Sequence, residues 1–104
     1  MTDDPLDRLD ATIAARRGAD PGSSYVASLF AKGRPHIARK FGEEAVETLV
    51  ASLGDDPAAL TAEAADLMFH LMVLLADAGL SLADVRAELA RREGVSGHDE
   101  KASR

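Results

Sequence analysis

The chain has 104 residues, 46% of them hydrophobic and 29% charged, with a net charge of −6 and no cysteine. This length fits one domain, 1–104, with a packed core; the lack of cysteine excludes disulfides, thiolate metal sites and cysteine nucleophiles. The acidic balance argues against a nucleic-acid partner, which needs a basic surface. In chain order, Asp4-Pro5 opens a first helix, on which Leu6, Leu9 and Ile13 space an apolar stripe. After a loop from Gly18 to Ser23, Ser24 caps a short helix, Tyr25 to Lys32, closed by Gly33. Pro35 starts a third helix that runs to about Leu53, with Gly54 as its stop. Asp56-Pro57 starts a fourth, to about Ala78 before Gly79, and Ser81 with Asp84 has capping-box spacing for a fifth, to about Glu93. Gly94 ends it, and residues 95–104 read as a polar tail, expected to be mobile without ligand. No window alternates as a strand does, so the expected fold class is all-α, a bundle of four to five helices.

Five acidic residues stand out in helices that otherwise look like core. Glu43, Glu44 and Glu47 read as E-E-x-x-E, and after fifteen residues Glu63 and Asp66 read as E-x-x-D. Positions three apart share a helix face, so Glu44 with Glu47 and Glu63 with Asp66 each make a paired-carboxylate patch. A lone pair would be an ordinary solvated face. Two pairs on neighbouring helices would repel strongly unless a cation sat between them. Hard oxygen donors from two helices suit Mg²⁺, with Mn²⁺ as a possible substitute, and Mg²⁺ in turn suits phosphates. Lys32, Arg34, Arg39 and Lys40 cluster just before the acidic motif, as a polyphosphate would require. There is no G-x-x-x-x-G-K-[ST] loop.

Other residues keep two readings at this point. Glu43 is a metal ligand, a water-activating base, or a partner for Arg39 or Lys40. Lys40 is an intrahelical salt-bridge partner or a phosphate ligand. His70, one turn beyond Asp66, either touches substrate or hydrogen-bonds within the core. Gly42 lies inside a helix at a cost of about 1 kcal/mol relative to Ala, which a close helix approach or a local bend would explain. The fourth helix is apolar nearly all round: Leu60, Ala64, Leu67, Leu71, Leu74 and Leu75 form one face, and Met68, Phe69, Met72 and Val73 fill most of the rest. Such a helix must be buried all round, so a homodimer is expected, with Phe69, Met72 and Val73 at or near its interface. The longest apolar run, Leu67 to Ala76, is broken by His70 and is short for a bilayer. The acidic N-terminus does not read as a leader, so a soluble, cytoplasmic protein with no membrane partner is expected.

The carboxylate pattern resembles that of the all-α nucleoside triphosphate pyrophosphatase superfamily, which includes MazG-like enzymes and dimeric dUTPases. Within it the chain resembles the phosphoribosyl-ATP pyrophosphatase family, over nearly its whole length. The specific segments are Ser24-Tyr25-Val26-Ala27-Ser28-Leu29-Phe30 and the terminal Glu100-Lys101-Ala102-Ser103-Arg104, beside Gly42-Glu43-Glu44-Ala45-Val46-Glu47 and Glu63-Ala64-Ala65-Asp66-Leu67. The resemblance implies a stand-alone hydrolase of phosphoribosyl-ATP in histidine biosynthesis, rather than the form fused to a cysteine-bearing zinc cyclohydrolase. It implies Glu44, Glu47, Glu63 and Asp66 as metal ligands, and Glu43, Glu44 and Glu47 as the catalytic carboxylates. Arg39, Lys40, His70, Lys101 and Arg104 would then contact the substrate. The alternative is a MazG-like or dUTPase-like pyrophosphatase of broader specificity; a non-catalytic helical dimerisation module is the rival from another class.

Overall fold

A computed structural model describes residues 3–95, 97–98 and 101. Among them are five α-helices: α1 (Pro5–Arg16), α2 (Tyr25–Lys32), α3 (Arg34–Ser52), α4 (Pro57–Asp77) and α5 (Leu82–Arg91). Each start has a chemical cause. The Asp4 carboxylate accepts from the Leu6 N–H at 2.9 Å, the Ser24 hydroxyl from the Ala27 N–H at 3.0 Å, and the Asp56 carboxylate from the Ala58 N–H at 3.0 Å. At α5 the Asp84 carboxylate reaches back to the Ser81 N–H at 2.9 Å, the return half of a capping box. Gly33, with φ 92°, lets the chain leave α2 and enter α3 with no intervening loop.

The dominant contact is between α3 and α4, an antiparallel pair whose register is fixed at two points. Near one end the Arg34 guanidinium pairs with the Asp77 carboxylate and donates to the Asp77 carbonyl at 3.1 Å. At the other end the Thr48 hydroxyl lies 2.8 Å from the Glu44 carbonyl and 3.1 Å from the Glu63 carbonyl. Arg34 to Thr48 and Asp77 to Glu63 are the same number of residues, so both ties describe one register, about 21 Å apart along the pair at 1.5 Å per residue.

The core occupies only one end of this pair. Ile13 of α1, Val26 and Leu29 of α2, Ile37 of α3, Met72, Val73 and Ala76 of α4, and Leu82 of α5 are buried together, with Leu6, Leu9, Phe30, Phe69 and Leu74 packed around them. Arg86 of α5 pairs with Asp4 and Asp7, which ties α5 to α1. Beyond the core, the second half of α3 and the first half of α4 continue as a two-helix arm. On it Val46, Leu49, Val50 and Leu53 are exposed, Leu53 at 87%.

Three expectations are corrected here. Met72 and Val73 are 1% and 0% exposed within the single chain, so these two do not form a dimer interface, while Phe69, packed against the core, is partly buried. The unpartnered apolar face belongs to α3 instead. A Cβ added at Gly42 would meet nothing within 4 Å, so close helix approach does not explain this glycine; nothing in the fold does. Finally, α4 taken whole is long and apolar enough, by length and composition, to cross a membrane, more than the run Leu67 to Ala76 suggested. Its buried residues, however, form the core of this helical fold.

Candidate active site

The site lies where the core ends and the arm begins. Glu44 and Glu47 project from α3, and Glu63 and Asp66 from α4, at the level set by the Thr48 bridge. One ligand oxygen each from Glu44, Glu63 and Asp66 lie within 4.8 Å of one another. Glu44 Oε2 and Glu63 Oε2 are buried and have no hydrogen-bond partner. A buried carboxylate oxygen without a donor is costly, and two on facing helices more so.

The electrostatics report the same conflict. The Glu44 carboxyl is pushed up to about 7, first by burial, then by its hydrogen bond to Glu47 and the charges of Glu47, Asp66 and Glu63. Glu63 is also raised, by burial first and then by the Glu47 charge. Protons therefore relieve the crowding at low pH. A divalent cation would do so at neutral pH, and the donor set, all carboxylate oxygen, fits Mg²⁺ or Mn²⁺. Glu47 stands beside the three-oxygen cluster, exposed. It lines, with Val46, Val50, Ala51, Ala59 and Glu63, an open groove of about 350 Å³.

The remaining expected site residues fall into three groups. Glu43 is taken up by cations: Lys40 Nζ lies 3.3 Å away and Arg39 Nε 4.0 Å away, so of its three readings the structure displays the ion pair. Arg39 also donates to His36 Nδ1 at 3.2 Å. Here Lys32, Arg39 and Lys40 surround His36, whose pKa is lowered, first by desolvation and then by these cations. His70 is 5% exposed and bonded twice: its Nδ1 is 2.8 Å from the Asp66 carbonyl and its Nε2 3.3 Å from the Tyr25 hydroxyl. Within the expected polar tail, Gly97, His98 and Lys101 are helical and exposed, while Glu100 and Arg104 lie outside the described residues. Sequence reasoning gave no role to Thr48 or to the Tyr25–His70 contact. A mid-helix Thr carries no periodic signal, and Tyr25 and His70 are 45 residues apart.

An all-helical fold among the described residues, with carboxylate oxygens from two antiparallel helices within 4.8 Å of one another, marks a class of helical proteins with a site able to hold a divalent cation. Comparison narrows the class. Residues 6–93 match the phosphoribosyl-ATP pyrophosphohydrolase family. A phosphoribosyl-ATP pyrophosphatase of Rhizorhabdus wittichii is 67% identical over 99 residues, covering 95% of this chain and 93% of the relative. Those of Zymomonas mobilis and Dinoroseobacter shibae are 58% identical over 104 residues and 60% over 99. The first of these two covers 100% of this chain and 97% of the relative; the second covers 95% and 97%. The chain belongs to the phosphoribosyl-ATP pyrophosphohydrolase family.

Proposed function

We propose that this protein hydrolyses phosphoribosyl-ATP at the α–β phosphoanhydride bond, giving phosphoribosyl-AMP and pyrophosphate, as a cytoplasmic enzyme of histidine biosynthesis. The observation that carries the reading is the pair of buried, unpartnered oxygens on Glu44 and Glu63, converging with Asp66 from two helices. Glu44, Glu63 and Asp66 would hold Mg²⁺, with Glu47 beside them at the groove. The ion, when bound, neutralises the triphosphate and makes a water more acidic. The protein's own groups do the rest. Lys40 binds phosphate oxygens, and the Glu43 carboxylate, shared with Arg39, holds its ammonium at the rim. The Glu47 carboxylate, exposed and adjoining Glu44, accepts a proton from the attacking water as the anhydride P–O bond breaks and pyrophosphate leaves. This arrangement moves the base role from Glu43 to Glu47, because Glu43 is occupied by its cations. Lys101 and Arg104 remain candidates for holding the phosphates.

The active species in this reading is a homodimer joined through Val46, Leu49, Val50 and Leu53. These side chains are between 58% and 87% exposed in the single chain. Two such α3–α4 arms would pack as a four-helix bundle, completing the half-buried surroundings of α4.

The test is pyrophosphate release from phosphoribosyl-ATP, with and without Mg²⁺, alongside dUTP and the common dNTPs. Mg²⁺-dependent release selective for phosphoribosyl-ATP is expected. Equal turnover of the dNTPs would instead support a pyrophosphatase of broad specificity, and no release at all would leave a helical dimerisation module.

A further inference from the structure

Tyr25 is used by nothing described so far, yet its surroundings give its hydroxyl a defined polarity. It opens α2 and is 54% exposed. One side of its ring stacks on Phe69, with centroids 6.1 Å apart and planes 19° apart, and its hydroxyl reaches buried His70. The Asp66 carbonyl can only accept, so His70 Nδ1, 2.8 Å from it, carries the ring proton. In the neutral ring Nε2 is then an acceptor, and the Tyr25 hydroxyl at 3.3 Å must donate to it. The phenol proton is thus committed inward. What Tyr25 offers outward is an oxygen that accepts hydrogen bonds and an apolar ring that can be stacked upon.

That chemistry sorts the parts of a nucleotide. Ionised phosphate oxygens only accept, so they gain nothing from this phenol. Sugar hydroxyls and purine amino groups donate, and a purine ring stacks well on an aromatic side chain. The position agrees. His70 sits one turn from Asp66, whose carboxylate belongs to the three-oxygen cluster. Lys40 lies on α3, which follows α2 directly, and its ammonium is held by the Glu43 carboxylate. Tyr25 therefore borders the phosphate-handling groups without being one of them.

We infer that Tyr25 is a specificity-determining residue, which receives the purine nucleoside end of the substrate through its ring and its acceptor oxygen while the phosphates lie toward Lys40 and the carboxylates. The inference rests on the function proposed above and deepens it. A purely structural tether from α2 to α4 would need the same hydrogen bond but no contact with ligand, so the test must separate the two.

The chain supplies its own probe. It has one tyrosine and no tryptophan, so its tyrosine emission comes from Tyr25 alone. Wild-type protein is titrated with phosphoribosyl-AMP and, separately, with pyrophosphate, each with Mg²⁺, correcting for light absorbed by the purine with a free tyrosine amide. Saturable quenching by phosphoribosyl-AMP and none by pyrophosphate is expected. In parallel, Tyr25→Phe should raise KM for phosphoribosyl-ATP about fivefold to tenfold, as loss of one hydrogen bond would, with kcat within about threefold. Tyr25→Leu, which also removes the ring, should raise it further. Unchanged emission with phosphoribosyl-AMP, or an unchanged KM in a Tyr25→Phe protein that merely melts lower, would overturn the inference. Should wild type release no pyrophosphate, the proposed activity fails. The titration still decides the fate of Tyr25, since it needs binding only and no variant that must fold.

Discussion

Replacing Glu44 by Gln removes one charge from the crowded cluster while keeping the shape of the side chain, and its effect can be sized. The folded-state pKa of Glu44 is about 7 against an ordinary 4.5. Between those values the folded protein holds more protons than the unfolded chain. The stability this group contributes is therefore full below about pH 4.5 and is lost as pH rises through about 7. At 1.36 kcal/mol per pH unit the loss at pH 8 is roughly 3 kcal/mol at most. Solvent screening of a half-buried group reduces it to about 1–2 kcal/mol. Without metal at pH 8, Glu44→Gln should then melt about 5–10 °C above wild type. The difference should vanish near pH 4.5, where wild-type Glu44 is itself protonated. Adding Mg²⁺ at a hundredfold excess over its dissociation constant should stabilise wild type by about 2.7 kcal/mol, and the variant much less, while the variant loses nearly all turnover. Scanning calorimetry across pH 4.5–8, with chelator and with Mg²⁺, measures each quantity. A Glu44→Gln protein that melts at or below wild type at pH 8 without metal would refute the claim that these carboxylates are held in mutual conflict.

Further outcomes follow from particular contacts. Gly42→Ala should stabilise the protein by about 1 kcal/mol, since its Cβ enters open space in a helix interior; a lower melting temperature would reveal a constraint the protomer does not display. Leu49→Asp should yield a folded monomer in sedimentation experiments, whereas Met72→Ala should cost about 2–5 kcal/mol without dissociating the proposed dimer; the reverse pattern would restore α4 as the interface. Thr48→Val should weaken Mn²⁺ binding, followed by electron paramagnetic resonance, with Thr48→Ser near wild type, because only the hydroxyl bridges the Glu44 and Glu63 carbonyls. Equal affinity in both variants would reduce that bridge to ornament. Deleting Glu100 to Arg104 should impair kcat/KM strongly while leaving fold and assembly intact, and an unchanged kcat/KM would mark these residues as a mere terminus.

The helix boundaries were legible because their signals are local. Asp4, Ser24, Asp56 and Ser81 cap the turns they precede, and Gly33 and Gly79 end helices with positive φ. The carboxylate pairs were legible for a related reason: helical spacing alone puts Glu44 beside Glu47 and Glu63 beside Asp66. What spacing does not encode is which apolar face meets which neighbour. Val46, Leu49, Val50 and Leu53 have the same periodicity as a core stripe, and Met72 and Val73 are as apolar as an interface. Only the crossing of α1 and α2 over the far half of α4 decides that the second set is buried and the first is left bare. The Tyr25–His70 and Thr48–Glu63 contacts escape for the same reason, since each depends on a pairing between helices.

The placement of the site at the boundary between core and arm has a physical consequence. At the core end, the Arg34–Asp77 tie and the buried side chains hold α3 and α4 in register. At the arm end, among the described residues, the Thr48 hydroxyl joins the two backbones between the facing carboxylates, whose repulsion acts to splay the helices. In the proposed assembly two agents oppose that splaying: a cation between the carboxylates, and a second arm against Val46, Leu49, Val50 and Leu53. Both act on the same α3–α4 spacing, so each must favour the other. Coupling of this kind is reciprocal: whatever factor the metal adds to dimer affinity, dimerisation adds to metal affinity. An apolar face one turn from a carboxylate cluster is, on this argument, part of the same machinery as the cluster.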